Sequence, residues 1–195
     1  MAEGTHPIRL ARCAMAALGI TTALAGCATT PMAAPVRQVP QPLLPSTTAR
    51  PPGDCHASGS GFDVLPDPAC TPGAINPQVT QANIASTICS RGWTATVRPP
   101  VSVTEPLKRA SMVAYGERGP IGAYQEDHLV ALGAGGSPSD PRNLWAEPGA
   151  TPNPKDAVEV AANRAICSRR LTLTQVQAAM ATDWIALGRQ LGVGG

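Results

Sequence analysis

At 195 residues the chain has room for one domain plus extensions. Only 14% of its residues are charged and 3% aromatic, with a formal net charge of +2. That balance excludes a strongly basic nucleic-acid binder held by overall charge, and the few aromatic residues imply a small core that needs bracing.

Taken in chain order, Arg9 and Arg12 precede an apolar stretch, Cys13 to Ala25. It is too short to span a bilayer, and the order reads as a secretory signal over residues 1–26. Its end, Leu24-Ala25-Gly26-Cys27, resembles the bacterial lipoprotein signal, in which cleavage precedes the cysteine and that cysteine receives lipid. A plain secretory signal with a coincidental Cys27 is the alternative. No later segment is apolar enough to cross a membrane, so membrane attachment, if any, is through lipid at Cys27. Residues 27–53 are rich in Pro, Ala, Thr and Gln with almost no large apolar side chains, the composition of a semi-extended tether. The folded domain is assigned to 54–195. Without the signal, 13 basic and 12 acidic residues remain, so any surface that tracks phosphates must be a local cluster; Arg98, Lys108, Arg109, Arg118, Arg142 and Lys155 are candidates.

Of six cysteines, Cys13 lies in the signal and Cys27 at the lipidation point, leaving Cys55, Cys70, Cys89 and Cys167. In an exported chain four cysteines read as two disulfides with three possible pairings. The favoured one joins Cys55 to Cys70, a local pair, and Cys89 to Cys167, which ties an N-terminal helix to a later one. A crosslink over the second interval stabilises by roughly 4 kcal/mol in the chain-entropy picture. A Cys/His metal site using His56 is the competing reading, but no Cys-x-x-Cys spacing supports it.

Asn76-Pro77-Gln78 precedes a predicted helix over Thr80 to Cys89. Thr104 is the predicted N-cap of another, with Gly116 after its end. A strand runs through Ile121 to Val130, reaching His128; Gly133 to Arg142 is a turn-rich loop; Asn143 to Glu147 is a short second strand ended by Pro148. Asn153 is a good N-cap with Pro154 at the first helical position, and Val158, Ala161, Ala162, Ala165 and Ile166 recur at helical spacing. A last helix, Thr174 to Gln190, places Val176, Ala179, Met180, Trp184, Leu187 and Leu191 on one face. Trp93, Trp145 and Trp184 read as core or anchoring residues rather than base-stacking platforms.

The stretch Tyr124-Gln-Glu-Asp-His-Leu-Val-Ala-Leu-Gly-Ala-Gly-Gly, followed by Asn143-Leu-Trp-Ala-Glu-Pro and Asn153-Pro-Lys-Asp156, resembles the HNH (ββα-metal) nucleases. The likeness is to variants in which the final histidine is asparagine. It covers Tyr124 to about Glu159; the chain also reads like small exported bacterial lipoproteins that carry the same block. The resemblance implies an α+β fold with a ββα-metal core framed by helices and disulfides. It further implies Asp127 as a metal ligand, His128 as general base, Asn143 as the residue that orients the loop and the histidine, Asn153 as second ligand, and Lys155 near the scissile phosphate. The chain lacks zinc-knuckle cysteines and the final histidine, and it has one residue fewer between Asn153 and Lys155 than the usual helix motif. A carboxylate and an amide favour Mg²⁺ or Mn²⁺ over Zn²⁺.

The chemistry suits these residue types. Imidazole has its ordinary pKa near 6.5, where a base for water is needed, and a cation neutralises charge on the phosphate and the leaving oxygen. Plainer roles stand beside these: a hydrogen-bonded structural His128, an Asn143 that starts a turn after Asp140-Pro141-Arg142, an Asn153 spent on the helix end. Adjacent strand residues point to opposite faces, so Asp127 and His128 share a site only where the strand twists or ends. The sequence therefore supports metal-dependent cleavage of nucleic acid, DNA ahead of RNA, outside the cytoplasm. The rival is a noncatalytic envelope lipoprotein that keeps the motif as a scaffold for a wall or protein partner.

Overall fold

In a computed structural model, residues 53–193 are described; the signal peptide, the Cys27 lipidation point and the tether up to residue 52 lie outside them. The described chain is a mixed α+β fold of four α-helices and two small antiparallel sheets. Strands β1 (Ser58–Ser60) and β2 (Asp63–Leu65) form a hairpin that the sequence does not announce, because such short strands carry no alternation to detect. Helix α1 (Trp93–Val97) is likewise additional to the expected elements.

The helix expected over Thr80 to Cys89 is instead a run of turns around a single 3₁₀ turn at Ile84–Ser86. Asn83 explains the difference. Its Oδ1 accepts from the Thr80 N–H at 2.8 Å, its Nδ2 donates to the Gln78 carbonyl at 2.8 Å, and its own carbonyl accepts from the Thr87 hydroxyl at 2.9 Å. Side-chain bonds of this kind compete with the helical ladder for the same backbone groups. Helix α2 (Val101–Ala114) begins three residues ahead of Thr104, directly after Pro100, so Pro106 falls inside it.

Strand β3 (Tyr124–His128) is shorter than expected because a 3₁₀ turn occupies Ile121–Ala123, and it pairs antiparallel with β4 (Leu144–Pro148). The register places Asp127 opposite Trp145 and His128 opposite Leu144. Helix α3 (Pro154–Cys167) then starts where its sequence places it, with Asn153 as N-cap and a reciprocal capping box closed by Asp156. Helix α4 (Leu173–Leu191) packs on α3, and α2 packs on β4. Within α4, Asp183 leaves helical geometry (φ −159°, ψ 86°) and its Oδ1 caps the following turn through the Ala186 N–H at 2.8 Å. The close approach of α3 and α4 requires Gly188, where a Cβ would lie 2.8 Å from Val158 Cγ2.

The core collects Leu129, Val130, Val158, Ile166, Val176, Met180 and Trp184. Trp184 also satisfies its indole N–H on the Val64 carbonyl at 3.1 Å, fastening the first hairpin to α4. Burying each of the larger side chains is worth roughly 1.5–3 kcal/mol. Trp145 and Trp184 are buried and Trp93 packs against the core, as the sequence indicates. The cysteines pair as favoured, Cys55 with Cys70 and Cys89 with Cys167, across separations of 15 and 78 residues. Two disulfides fit an oxidising, extracytoplasmic compartment. Among the described residues no helix is long and apolar enough to cross a membrane.

Candidate functional site

The site is built on the β3–β4 hairpin, the loop that joins its strands, and the N-terminus of α3. Asn143 organises the loop. Fully enclosed, its Oδ1 accepts from the Val130 N–H at 2.9 Å, and its Nδ2 donates to the Val130 and Ser137 carbonyls, each at 3.0 Å. One amide thereby ties the start of the loop to its far side. Gly136 is required at the same closure, since a Cβ there would sit 1.7 Å from the Val130 carbonyl oxygen and 2.7 Å from Asn143 Nδ2.

His128 ends β3 and is held by this loop, with Nε2 2.9 Å from the Pro138 carbonyl oxygen. A carbonyl only accepts, so Nε2 carries the proton and Nδ1 of the neutral ring keeps its lone pair. Among the described residues Nδ1 has no hydrogen-bond partner. Burial is the main influence that lowers the imidazole pKa, with the charges of Arg98 and Lys155 adding to it; the Pro138 hydrogen bond and Asp127 act the other way. The ring is thus kept neutral at pH 7, the state in which a histidine can take a proton.

Asp127 points to the opposite side of the strand, toward α3. Its Oδ2 accepts from Trp145 Nε1 at 2.9 Å and its Oδ1 from Lys155 Nζ at 2.7 Å. Lys155, 1% exposed, also donates to the His128 carbonyl at 2.9 Å and to Glu159 Oε1 at 2.8 Å. Its three protons therefore meet three oxygens. Burial alone would lower the ammonium pKa, but Asp127, Glu159 and Glu147 outweigh it and hold the group charged. Three carboxyl groups around one cation are more than it balances. Accordingly Glu147 is pushed up to about 8 by burial and by Asp127, and Glu159 is raised by burial.

Asn153 serves the helix end. Its Oδ1 accepts from the Lys155 N–H at 2.9 Å, while Nδ2 donates to Gln125 Oε1 at 3.0 Å and Glu147 Oε2 at 2.7 Å. The two residues assigned as metal ligands thus do not present free oxygens to a common point. The oxygens near Asp127 surround the Lys155 ammonium, a donor set already matched to a monovalent cation rather than to Mg²⁺ or Mn²⁺. Among the described residues no group of three His, Cys, Asp or Glu side chains is placed to hold a metal ion. Lys155, assigned to the scissile phosphate, is enclosed instead; the intervening helix start turns its side chain inward, beneath the strand.

Glu126 carries no motif signal in the sequence. It is flanked by Gln125 and Asp127, and its two carboxyl oxygens are enclosed without a hydrogen-bond partner among the described residues. Burial pushes its pKa up to about 8, against the pull of Lys108, and Asp127 adds to the rise. The carboxyl is consequently protonated at neutral pH. Lys108 itself donates to the Tyr124 carbonyl at 2.6 Å. Arg91 and Arg164 are also absent from the expected phosphate-tracking cluster, yet with Arg98 they line a cleft of about 420 Å³ beyond residues 131–133. Isolated arginines carry no sequence signal of convergence.

Comparison with protein-family models, with curated proteins and with solved structures gave no match to this chain. The geometry of the site therefore carries the functional reading.

Proposed function

We propose that the domain is an HNH-like phosphodiester hydrolase acting on nucleic acid, DNA ahead of RNA, outside the cytoplasm, with His128 as the base that activates water. The observation that carries this reading is the fixed, neutral His128: one nitrogen is spent on the Pro138 carbonyl and the other keeps its lone pair. The attacking water gives a proton to Nδ1 as its oxygen bonds to phosphorus, the bond to the leaving oxygen breaks, and that oxygen takes a proton from solvent. Asn143 positions His128 by holding the loop that supplies the Pro138 carbonyl. General-base assistance of this kind contributes typically about 10²–10⁴ in rate.

No step is assigned to a divalent ion, since Lys155 fills the place between the carboxylates. The test is cleavage of plasmid DNA and of RNA by the full-length, disulfide-bonded chain, in chelator and with Mg²⁺ or Mn²⁺ in turn. Cleavage that is lost with His128→Ala supports the reading. A folded chain that cuts neither substrate under any of these conditions would sink it.

A second reading has its own observation. Asn153 is spent on the helix cap and Asp127 on Lys155, as expected of a noncatalytic envelope protein that retains a ββα scaffold. Under either reading the mature chain is proposed to begin at a lipid-bearing Cys27. Cys27→Ser should release the protein from the membrane fraction, and unchanged membrane partition of that variant would refute the anchor.

A further inference from the structure

Among the described residues, three arginines converge on one cleft without a carboxylate partner. Arg91 lies in the turn before α1, Arg98 directly after it, and Arg164 in the last turn of α3, and all three line the same cavity of about 420 Å³. All are exposed, and none forms an ion pair or side-chain hydrogen bond among the described residues, in contrast to Arg109 with Glu105 and Arg142 with Asp140. The single acidic residue on the wall, Glu159, has one carboxyl oxygen engaged by the Lys155 ammonium at 2.8 Å. In a chain with so little net charge, this is a concentrated positive field.

The walls of the cleft are tied to one another. Asn163, on its floor, donates to the Ile88 carbonyl at 3.0 Å and the Gly133 carbonyl at 2.8 Å, joining two walls. The Cys89–Cys167 disulfide fastens the segment that carries Arg91 to the end of α3. Guanidinium groups held without internal partners match the oxygens of phosphates, which accept two parallel N–H bonds. The cavity lies within the size range of small-ligand pockets, enough for part of a strand rather than a duplex. The cleft adjoins the segment of His128: Ala131, Leu132 and Gly133 line it, and so does Glu159, whose partner Lys155 donates to the His128 carbonyl at 2.9 Å.

From these observations we infer that the cleft lined by Arg91, Arg98 and Arg164 binds the phosphodiester backbone of a single nucleic-acid strand and leads it to His128. The inference rests on the hydrolase reading for its last step only; the binding stands apart from it. The arginines that hold the backbone would set positive charge beside the phosphate led to His128, where developing negative charge needs it.

The test uses the full-length, disulfide-bonded chain carrying His128→Ala, so that binding is read without cleavage, and a fluorescent single-stranded oligodeoxynucleotide. Combined Arg91→Ala, Arg98→Ala and Arg164→Ala should weaken binding at least tenfold. It should also reduce the slope of log affinity against log salt by about 2, since each single-strand phosphate that is no longer neutralised lowers the slope by about 0.7. Arg142→Ala, whose arginine is paired with Asp140, should change neither, and matching melting curves show that the triple variant is folded. Oligonucleotide binding that survives the triple substitution, absence of any binding, or capture of anionic vesicles but not the oligonucleotide would overturn the inference. Binding that depends on the three arginines in a chain that cuts nothing would leave the inference standing and remove the hydrolase reading. Cleavage and affinity that both persist when the three substitutions are made in the chain that keeps His128 would do the reverse.

Discussion

On the side of β3 that faces α3, polar side chains are matched to one another: Asp127 to Lys155 and Trp145, Asn153 to Gln125 and Glu147, Lys155 to Glu159. A few residues away, in the region of His128 and the arginine cleft, polar groups are left over. His128 keeps a lone pair, and among the described residues Glu126 has two enclosed oxygens without partners and three arginines have no counter-charge. Matched groups hold a fold together. Unmatched ones carry a cost that the rest of the structure must offset, and they are where a ligand has something to gain.

Breaking the matched side should have the largest effect. Lys155→Ala leaves Asp127 buried without its counter-charge and should destabilise by about 3–5 kcal/mol in urea denaturation, whereas replacing both partners by apolar side chains should cost much less. A metal titration sharpens the comparison: Mg²⁺ or Mn²⁺ should leave the melting temperature of the unaltered protein unchanged. An ion-dependent rise in the unaltered protein would show that Lys155 does not close the site.

His128→Ala probes the open side. Cleavage should fall at least a hundredfold, about 2.7 kcal/mol of barrier, with the melting temperature nearly unchanged. A large loss of stability would instead assign His128 to the fold. Asn143→Ala lies between the two regions. It strands the buried N–H and carbonyl of Val130 and should cost roughly 2 kcal/mol of stability while also lowering activity, because the loop that orients His128 loosens.

The smallest effect is that of Glu126→Gln, read through pH. The folded-state pKa of about 8 lies above the ordinary 4.5, so the folded protein binds more protons than the unfolded chain between these values. Stability from this group is fully present below about 4.5 and is lost as pH rises through about 8. Glu126→Gln should flatten that decline and raise the melting temperature at pH 8.5 relative to the unaltered protein. An unchanged pH profile would show that the carboxyl is not enclosed.

Much of the fold and site is legible in the sequence because it is local. Asn153-Pro154 announces the start of α3, and Thr172, just ahead of the expected boundary, caps α4 through Gln175. The alternation of Asp127 and His128 already implies opposite faces, and counting cysteines by compartment leaves four, of which the favoured pairing is the one observed. Of the failures, one is decided largely within its own segment and the other at a distance. Thr80 to Cys89 has helical composition, yet Asn83 and a disulfide to α3 hold it in turns. Lys155 reads as a residue near the scissile phosphate until β3 lies over it.

What the sequence by itself determined is therefore the set of short-range devices: caps, strand alternation, turn residues, and the order strand, loop, strand, helix. They follow from backbone sterics and from hydrogen bonds between residues a few positions apart. Tertiary structure alone decided which charges meet. Asp127 and Lys155 are 28 residues apart in the chain, and Arg91 and Arg164 reach one cleft only because Asn163 and the Cys89–Cys167 bond draw their segments together. Coulomb energies depend on separation and burial in space, and neither is written in the spacing of the residues.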